Sequence, residues 1–242
     1  MHYKFFKKII VTGGTGRFGN ILKKCKTRYK LIFPTKNQLD ILDLKKIRNY
    51  IKKIRPKFLI HLAGLSRPIN IHNIDISRSI DLNIIGTANV TKACFENNIK
   101  LIYFSTNYVY PGTKGNYKES DPVLPVSNYA WSKLGGEASV KLYKNSLILR
   151  VSMTEKPFVH KKAFANARTN FLYHEEVVKI LFKLINQKGI INVGGKSHNI
   201  FDFAKKDNLK VKKIYLKKKS NLGIPFNSST NISKLKKILK RS

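Results

Sequence analysis

The feature that most constrains the fold is the segment 9–19, in which an apolar run passes directly into a glycine-rich turn. The run Ile9–Val11 has the unbroken apolar character of a strand buried on both faces of a parallel sheet. Gly13, Gly16 and Gly19 follow with the spacing G-x-x-G-x-x-G, and the next residues can open a helix. Glycines let the backbone approach a phosphate, and a helix N-terminus favours negative charge. The segment therefore predicts a cradle for a pyrophosphate at the first strand of a nucleotide-binding sheet.

Strands and helices alternate over the next 140 residues or so of the chain. We predict strands at 29–33, 57–64, 101–104 and 147–151, and helices at 45–54, 80–97 and 129–143. Alternation of this kind is typical of the α/β class with a doubly wound, Rossmann-type parallel sheet. We therefore expect residues 1–152 to form a nucleotide-binding Rossmann domain.

The remaining residues, 153–242, carry weaker patterns. We predict helices at 175–185, 200–206 and 233–240, the last of them capped by Ser233, and short strands at 190–193 and 210–216. This C-terminal part is expected to return partly to the sheet and partly to form a small substrate-binding lobe.

The formal net charge of +35 raises the question of a nucleic-acid partner. The lysines, however, are spread over nearly every predicted helix and loop, without a single patch of interleaved aromatic residues. The chain is also rich in Ile, Asn, Phe and Tyr, which is the profile of an AT-rich genome. We therefore favour a compositional origin of the charge over a nucleic-acid-binding role, although the field attracts any anionic ligand.

Targeting signals and cysteine usage point to one compartment. No apolar run approaches the roughly 20 residues needed to span a bilayer. Met1–Lys4 leads directly into the first strand, which leaves no room for a signal peptide. Cys25 and Cys94 both fall in predicted helices without metal-ligand spacing. These features predict a reduced, cytoplasmic protein with no metal site and no membrane partner.

The end of the second predicted strand bears on the choice of dinucleotide. In this fold an acidic residue there binds the adenosine ribose 2′-OH, whereas a basic residue tolerates a 2′-phosphate. Here Thr35 and Lys36 occupy the place, and Arg17 is available from the glycine turn. This favours NADP(H); NAD(H) stays the alternative, because one more lysine in a lysine-rich chain carries limited weight.

A candidate catalytic group lies further along the chain. Tyr129 and Lys133 are four positions apart and share one face of a predicted helix. The lysine charge stabilises a tyrosine phenolate, so the phenol can exchange a proton with a carbonyl or an alcohol. Thr106 follows the fourth strand, at the sheet edge where ligands bind, and its hydroxyl can hold the same substrate oxygen. With 11 tyrosines in the chain the pair alone is weak, but Thr106 and the glycine turn complete a dehydrogenase-type site.

With these residues in view, the chain resembles the extended short-chain dehydrogenase/reductases of the NAD-dependent epimerase/dehydratase superfamily, and most of all their dTDP-4-dehydrorhamnose reductase branch. The resemblance covers about residues 8–150 well and the remainder loosely. It is carried by the cofactor turn 12–19, the segments 39–41, 61–64 and 83–87, and Ser-Thr-Asn-Tyr-Val-Tyr-Pro-Gly at 105–112, which resembles the branch's Ser-Thr-Asp-Tyr-Val-Phe-Asp-Gly.

The resemblance implies a role for individual residues. Thr106 would be the catalytic hydroxyl, Tyr129 the acid/base and also a cofactor contact, and Lys133 the residue that tunes Tyr129 and binds the nicotinamide ribose. Asp40 would contact the adenine amine, whereas His61 is expected to be a core histidine. The other implied cofactor contacts are Gly13, Gly16, Arg17, Phe18, Gly19, Lys36, Ile41, Leu62, Ala63 and Gly64.

Departures from the branch's pattern fall at the substrate end. Asn107 replaces an aspartate, and only about 24 residues separate the strand-end Arg150 from the segment 174–176, where relatives carry a longer insert that helps to hold the nucleotide-sugar. Lys161, Lys162 and Arg168 could meet a diphosphate, although solvated charge is the stronger explanation for them. Asn107, Arg150 and Arg168 are the candidate substrate residues.

The expected function is therefore an NADP(H)-dependent reductase of a nucleotide-linked 4-keto-6-deoxy sugar, with a homodimer left open. An epimerase or dehydratase with tightly bound NAD is the alternative within the fold. Dehydratases of the family place an Asp-Glu pair where Asn107 and Tyr108 stand, but epimerases need only the hydroxyl, tyrosine and lysine. A non-catalytic, nucleotide-sensing relative is a third possibility, and such relatives commonly lose the tyrosine or the lysine, both of which are present here.

Overall fold

The structure, a computed structural model, describes residues 6–217 and 223–241. The chain start discussed above, Met1–Lys4, lies outside the described residues. The strands are β1 (Lys8–Thr12), β2 (Lys30–Ile32), β3 (Phe58–His61), β4 (Lys100–Thr106), β5 (Ser146–Val151), β6 (Met153–Thr154), β7 (Lys162–Phe164), β8 (Arg168–Thr169), β9 (Leu172–Tyr173), β10 (Gly189–Val193), β11 (His198–Asn199) and β12 (Lys212–Ile214). The α-helices are α1 (Arg17–Lys23), α2 (Leu44–Ile54), α3 (Ile71–Ile74), α4 (Ile76–Ile80), α5 (Gly86–Glu96), α6 (Asn128–Lys141), α7 (His174–Leu184), α8 (Ile200–Ala204) and α9 (Ser233–Leu239). A π-helical turn covers Asp81–Ile85 and a 3-10 turn covers Asn107–Val109.

Six strands form the main sheet in the order β10-β5-β4-β3-β1-β2. Strand β1 pairs in parallel with β2 on one side and β3 on the other, and β3 pairs in parallel with β4. Ile9, Ile10 and Val11 are fully buried, as a strand covered on both faces requires. Because the chain leaves β1 to one side and returns on the other, the order of strands reverses between β1 and β3. The predicted α/β class with a Rossmann-type sheet is confirmed.

Three local predictions were wrong. The helix predicted at 80–97 is interrupted between α4 and α5 by the π-helical turn. Cys25 lies beyond the end of α1 rather than in a helix, and its N–H donates to the Leu22 carbonyl at 3.2 Å. Ser233 is the first residue of α9 and not its cap; the Asn231 side chain accepts a hydrogen bond from its N–H at 2.9 Å.

The chain divides into two compact units. The first comprises Met1–Phe104, Ser132–Ile148 and Gln187–Gly189, and the second comprises Ser105–Trp131, Leu149–Asn186 and Ile190–Ser242. The domain boundary predicted at residue 152 stays a prediction. Within the part of the chain that the structure describes, no helix is both long enough and apolar enough to cross a membrane.

The second unit has short strands, and asparagine side chains supplement their backbone pairing. The Asn166 amide donates to the Leu216 carbonyl at 2.9 Å, and its oxygen accepts from the Leu216 N–H at 2.8 Å. Asn170 binds Thr230 in the same two-way manner, at 3.3 and 3.2 Å. A side-chain amide that both donates and accepts satisfies a backbone that has no neighbouring strand. Beneath them lies a small apolar core of Phe158, Ala163, Ala167, Ile200, Ala204, Val211 and Leu216.

Candidate active site

The glycine turn lies where β1 and β3 end side by side. Gly13 has a φ of 72°, and a Cβ atom there would lie 2.5 Å from the Ala63 nitrogen and 2.7 Å from the Leu62 carbonyl carbon. The Gly16 N–H donates to the Gly13 carbonyl at 3.0 Å, and a Cβ at Gly19 would come within 2.7 Å of that same oxygen. Only glycine fits this packing at the point of strand reversal, which is where open α/β sheets bind ligands.

Arg17 and Phe18 begin α1 and face different surroundings. Arg17 is exposed, and the preceding Gly16 is the N-cap and provides no side-chain cap. Phe18 is buried, and its ring centroid lies 5.0 Å from that of Phe104. Arg17 thus presents a cation at the start of the helix, whereas the Phe18 side chain belongs to the core and leaves only its backbone for a cofactor.

The predicted 2′-phosphate and adenine residues are neighbours in the first unit. The Lys36 side chain is 77% exposed and its ammonium lies 3.8 Å from the Asp40 carboxylate, which also accepts a hydrogen bond from the Leu42 N–H at 3.0 Å. A surface ion pair of this length holds Lys36 only weakly. Ile41 is buried, and the Asn89 amide donates to its carbonyl at 3.1 Å. Lys36 therefore keeps an exposed charge for an anion, while Asp40 and Ile41 are held by their own loop.

The end of β3 supplies the other wall of the turn. His61 is buried and its ring nitrogens contact two hydroxyls, Thr12 at 2.8 Å and Thr87 at 3.1 Å. Burial, with a further contribution from the charge of Lys133, lowers the pKa of His61 to about 3. The Ala63 N–H donates to the Thr12 hydroxyl at 3.3 Å. His61 is therefore a neutral core residue that joins β1 to β3, as expected.

The segment Leu62–Gly64 is held from the other side by Asn83. The Asn83 side chain accepts from the Leu65 N–H at 2.7 Å and donates to the Leu65 carbonyl at 2.9 Å. It also donates to the Ser132 hydroxyl on α6 at 2.8 Å. A Cβ at Gly64 would lie 2.7 Å from the Asn83 amide oxygen. The π-helical turn that carries Asn83 therefore links the end of β3 to the helix of the proposed catalytic pair, a role that the helical pattern gave no sign of.

Lys133 is the most perturbed cation of the first unit. Its ammonium lies 4.3 Å from the centroid of the Tyr103 ring, and the Tyr103 hydroxyl donates to the Lys133 carbonyl at 3.1 Å. Burial lowers the pKa of Lys133 to about 7, and the charge of the buried Glu137, one turn later, opposes that shift. Lys133 therefore changes charge close to neutral pH. Tyr103 was missed at the sequence level, because it reads simply as one more apolar residue of a strand.

Tyr129 is the second residue of α6 and is partly buried in the second unit. Thr106 ends β4 and is nearly inaccessible to solvent. Its hydroxyl oxygen accepts from the Tyr108 N–H at 3.2 Å and so caps the 3-10 turn. The Thr106 hydroxyl donates to the Asn107 amide oxygen at 3.5 Å, a long contact that a ligand oxygen at the strand end would have to replace.

The three candidate substrate residues have unlike surroundings. Asn107 is buried, and its amide donates to the Ser228 carbonyl at 2.9 Å. Arg150 is also buried; it donates to the Tyr110 hydroxyl at 2.8 Å, and its guanidinium lies 4.9 Å from the centre of that ring. Arg168 is exposed on β8. Substrate contact by these residues stays a prediction. Among the described residues, no group of three or more His, Cys, Asp or Glu side chains could hold a metal ion.

The lowered pKa of Lys133 predicts a pH-dependent stability. Between about pH 7 and its ordinary value of 10.5, the unfolded chain binds a proton that folded Lys133 has lost, so the free energy of unfolding rises with pH. Lys133→Met should remove this slope and stabilise the protein most below about pH 7, where the wild type must bury a charge. Urea unfolding at acidic and alkaline pH measures the free energy of unfolding of the wild type and of Lys133→Met. Lys141→Met, at an exposed position of α6, is the control. Equal slopes in Lys133→Met and wild type would contradict the assignment.

Comparison with known proteins adds three findings. A family model described as the RmlD substrate binding domain matches residues 7–193. A dTDP-4-dehydrorhamnose reductase of Aggregatibacter actinomycetemcomitans is 27% identical over 77% of this chain and 60% of its own length. The methionine adenosyltransferase 2 subunit beta of Xenopus tropicalis is 30% identical over 60% of this chain and 46% of its own length. The chain thus matches about half to three fifths of the length of these curated relatives. A Bacillus anthracis dTDP-4-dehydrorhamnose reductase, solved in complex with NADP, has the same fold, with a TM-score of 0.84, 24% identity, and coverage of 96% of this chain and 92% of that one.

Proposed function

Since the chain belongs to the RmlD substrate binding domain family, we propose that it is an NADP(H)-dependent reductase of a nucleotide-linked 4-keto-6-deoxy sugar. The observation that carries the proposal is the packing of Gly13 against Leu62 and Ala63 where the strand order reverses. A dinucleotide pyrophosphate needs a close backbone approach at this position. The reductase relatives and the complex of one of them with NADP support the same cofactor.

Residues of the chain would hold NADP(H) at two places in the first unit. The glycine turn and Arg17 would meet the pyrophosphate, and the exposed ammonium of Lys36 would meet the 2′-phosphate. The Asp40 carboxylate would turn to the adenine amine and give up its weak contact with Lys36. When bound, NADPH supplies the hydride that reduces the keto carbon.

The protein supplies the proton and the hydrogen bonds of the proposed reaction. Tyr129 would donate its phenolic proton to the alkoxide that develops on the sugar, and the Thr106 hydroxyl would donate a hydrogen bond to the same oxygen. Lys133, one helical turn from Tyr129 on α6, would stabilise the resulting phenolate in its charged form. A bound phosphorylated dinucleotide adds negative charge, which favours protonated Lys133 in the working complex.

The assignment of Lys36 predicts a change of cofactor preference. Lys36→Glu should lower kcat/KM for NADPH by about 10- to 100-fold, because a charge-assisted bond to the 2′-phosphate is lost and replaced by repulsion, while NADH is affected far less. Lys179→Glu, at an exposed position of α7, makes the same charge change and should leave the ratio of the two cofactors unaltered. A wild-type preference for NADH, or an equal loss for both cofactors in Lys36→Glu, would refute the assignment.

A second candidate function is a non-catalytic, nucleotide-binding subunit. It is favoured by one observation, namely that several relatives are named as beta subunits of methionine adenosyltransferase 2. Both Tyr129 and Lys133 are present, which supports the reductase instead. The experiment that separates them follows NADPH oxidation by the full chain with a dTDP-linked 4-keto-6-deoxy sugar. Stoichiometric oxidation supports the reductase, an isomerised sugar without oxidation indicates an epimerase, and tight NADPH binding with neither supports the subunit.

The partner is proposed to be a small anionic molecule rather than a nucleic acid. The charge of +35 attracts a nucleotide-sugar and a nucleic acid alike. Retention on DNA that depends on salt and is unaffected by NADPH would therefore contradict this proposal. The homodimer and the cytoplasmic location remain predictions.

A further inference from the structure

Asn107 follows the proposed catalytic hydroxyl directly and is bound to a segment far away in the sequence. Its amide nitrogen lies 2.9 Å from the Ser228 carbonyl oxygen and 3.4 Å from the Thr169 hydroxyl. Its amide oxygen lies 3.5 Å from the Thr106 hydroxyl. All four residues are buried in the second unit. Asn107 therefore connects Thr106 to the segment that contains Ser228.

The chemistry of these contacts determines which way the Asn107 amide faces. A carbonyl oxygen only accepts hydrogen bonds, so the group opposite Ser228 must be the NH2. The oxygen then faces the Thr106 hydroxyl. The Thr169 hydroxyl, which the NH2 also approaches, contacts the hydroxyls of Ser152 at 2.9 Å and Ser228 at 3.2 Å. The result is a buried polar network that links Asn107 to Thr169, Ser152 and Ser228, and such networks restrict the arrangement of their side chains.

The Thr106 side chain is held between two neighbours. On one side the Tyr108 N–H donates to its oxygen at 3.2 Å, and on the other the Asn107 side chain is anchored to Ser228. Ser228 is itself fixed, because its N–H donates to the Arg168 carbonyl at 3.0 Å. Displacing Asn107 would move the backbone on both sides of the hydroxyl cap and so change the direction of the Thr106 hydroxyl.

We propose that Asn107 is a positioning residue for the Thr106 hydroxyl, and that this chain requires an amide there because the Ser228 carbonyl needs a donor. The inference rests on the proposed function for the role of Thr106. The motif that residues 105–112 resemble has an aspartate at this position. An ionised aspartate would place a carboxylate oxygen, which only accepts hydrogen bonds, against the Ser228 carbonyl and leave that carbonyl without this donor. The asparagine at position 107 and the Ser228 carbonyl opposite it are thus matched features of this chain.

The test compares Asn107→Asp with Asn170→Asp. Asn170 is also buried and also binds the C-terminal segment, through the Thr230 carbonyl at 3.3 Å and the Thr230 hydroxyl at 3.1 Å. Relative to wild type, kcat of Asn107→Asp should fall by about tenfold or more as the pH rises from about 5 to about 8, because only the protonated acid can donate. The ratio of the kcat of Asn170→Asp to that of the wild type should stay constant over the same pH range. A level ratio for both variants, or an equal fall in both, overturns the proposal.

The charged groups around the introduced acid act in opposite directions. Arg168 precedes Thr169 on β8 and Arg150 lies two residues before Ser152, and both side chains are cations. They favour the carboxylate, whereas burial and the facing Ser228 carbonyl favour the protonated acid. Circular dichroism at each pH ensures that the kinetic ratio is taken from folded protein.

A second readout does not depend on turnover. The methyl resonance of Thr106, assigned by NMR in the full chain without substrate, reports its side-chain rotamer. It should titrate in Asn107→Asp and stay fixed in Asn170→Asp; if the acidic variants do not fold, it should shift in Asn107→Ala and not in Asn170→Ala. An unmoved Thr106 methyl group in the folded Asn107 variant overturns the positioning role. If the wild type shows no NADPH-linked turnover, the proposed function fails. The Thr106 methyl resonance alone then shows whether Asn107 positions the Thr106 side chain.

Discussion

Replacing Tyr129 by phenylalanine should reduce NADPH-linked turnover by about 100- to 10,000-fold, the range that a positioned acid/base contributes. The phenol is the proposed proton donor, and phenylalanine keeps the ring but has no proton to give. Tyr129 is the second residue of α6, so the substitution leaves the helix register unchanged. NADPH affinity should remain within about twofold, because the proposed pyrophosphate and 2′-phosphate contacts lie elsewhere.

The measurement pairs steady-state NADPH oxidation with a direct NADPH-binding titration. Tyr215→Phe is the matched control, since Tyr215 is 65% exposed and has no proposed role. Loss of turnover with retained binding in Tyr129→Phe, and neither effect in Tyr215→Phe, is the expected result. Retained turnover in Tyr129→Phe would remove Tyr129 from the mechanism.

Gly13→Ala should destabilise the protein by about 3 kcal/mol or more and abolish tight NADPH binding. Two costs add at this position. The φ of 72° is a left-handed conformation that costs an alanine roughly 1–2 kcal/mol. The new Cβ would also meet the Ala63 nitrogen at 2.5 Å and the Leu62 carbonyl carbon at 2.7 Å, and both are backbone atoms of a strand end that cannot turn aside. Moving β3 away from β1 would open the very crevice that is proposed to hold the pyrophosphate.

Gly189 separates these two costs. It has a comparable φ of 78°, but nothing lies within 4 Å of a Cβ placed there. Gly189→Ala should therefore show only the conformational cost, roughly 1–2 kcal/mol, and bind NADPH normally. Urea unfolding of both variants against wild type measures the difference. Equal losses of stability would mean that β3 yields to the added methyl group and that the turn is less tightly packed than the structure indicates.

The sequence was sufficient for the parts of the site that depend on local chemistry. The apolar run before Gly13 and the glycine spacing after it define strand, turn and helix within one short segment, and the structure confirms them. The helix that carries Tyr129 and Lys133 was also confirmed, because its four-residue spacing is a property of the helix itself. His61 is buried as expected, and its partners are the hydroxyls of neighbouring elements.

What the sequence did not reveal depends on partners far along the chain. The π-helical turn within the helix predicted at 80–97 carries Asn83, and the bonds of Asn83 to Leu65 and Ser132 are not part of any helical pattern. Asn107 finds its main partner 121 residues away, at Ser228. A missing aspartate in the motif was visible in the sequence, but the carbonyl that asparagine serves was not. Ser233 failed as a cap because Asn231 captures its N–H instead.

A deuterium label shows whether this chain transfers a hydride from NADPH to a sugar. The full chain is incubated with NADPH that carries deuterium at both hydrogen positions of the nicotinamide C4 and with a dTDP-linked 4-keto-6-deoxy sugar. We expect the sugar product to carry deuterium at its own C4 and its formation to match NADPH consumption. Tyr129→Phe should form almost none of this product. A product without deuterium, or a sugar that is unchanged while NADPH binds tightly, would contradict the central claim that this chain is a reductase.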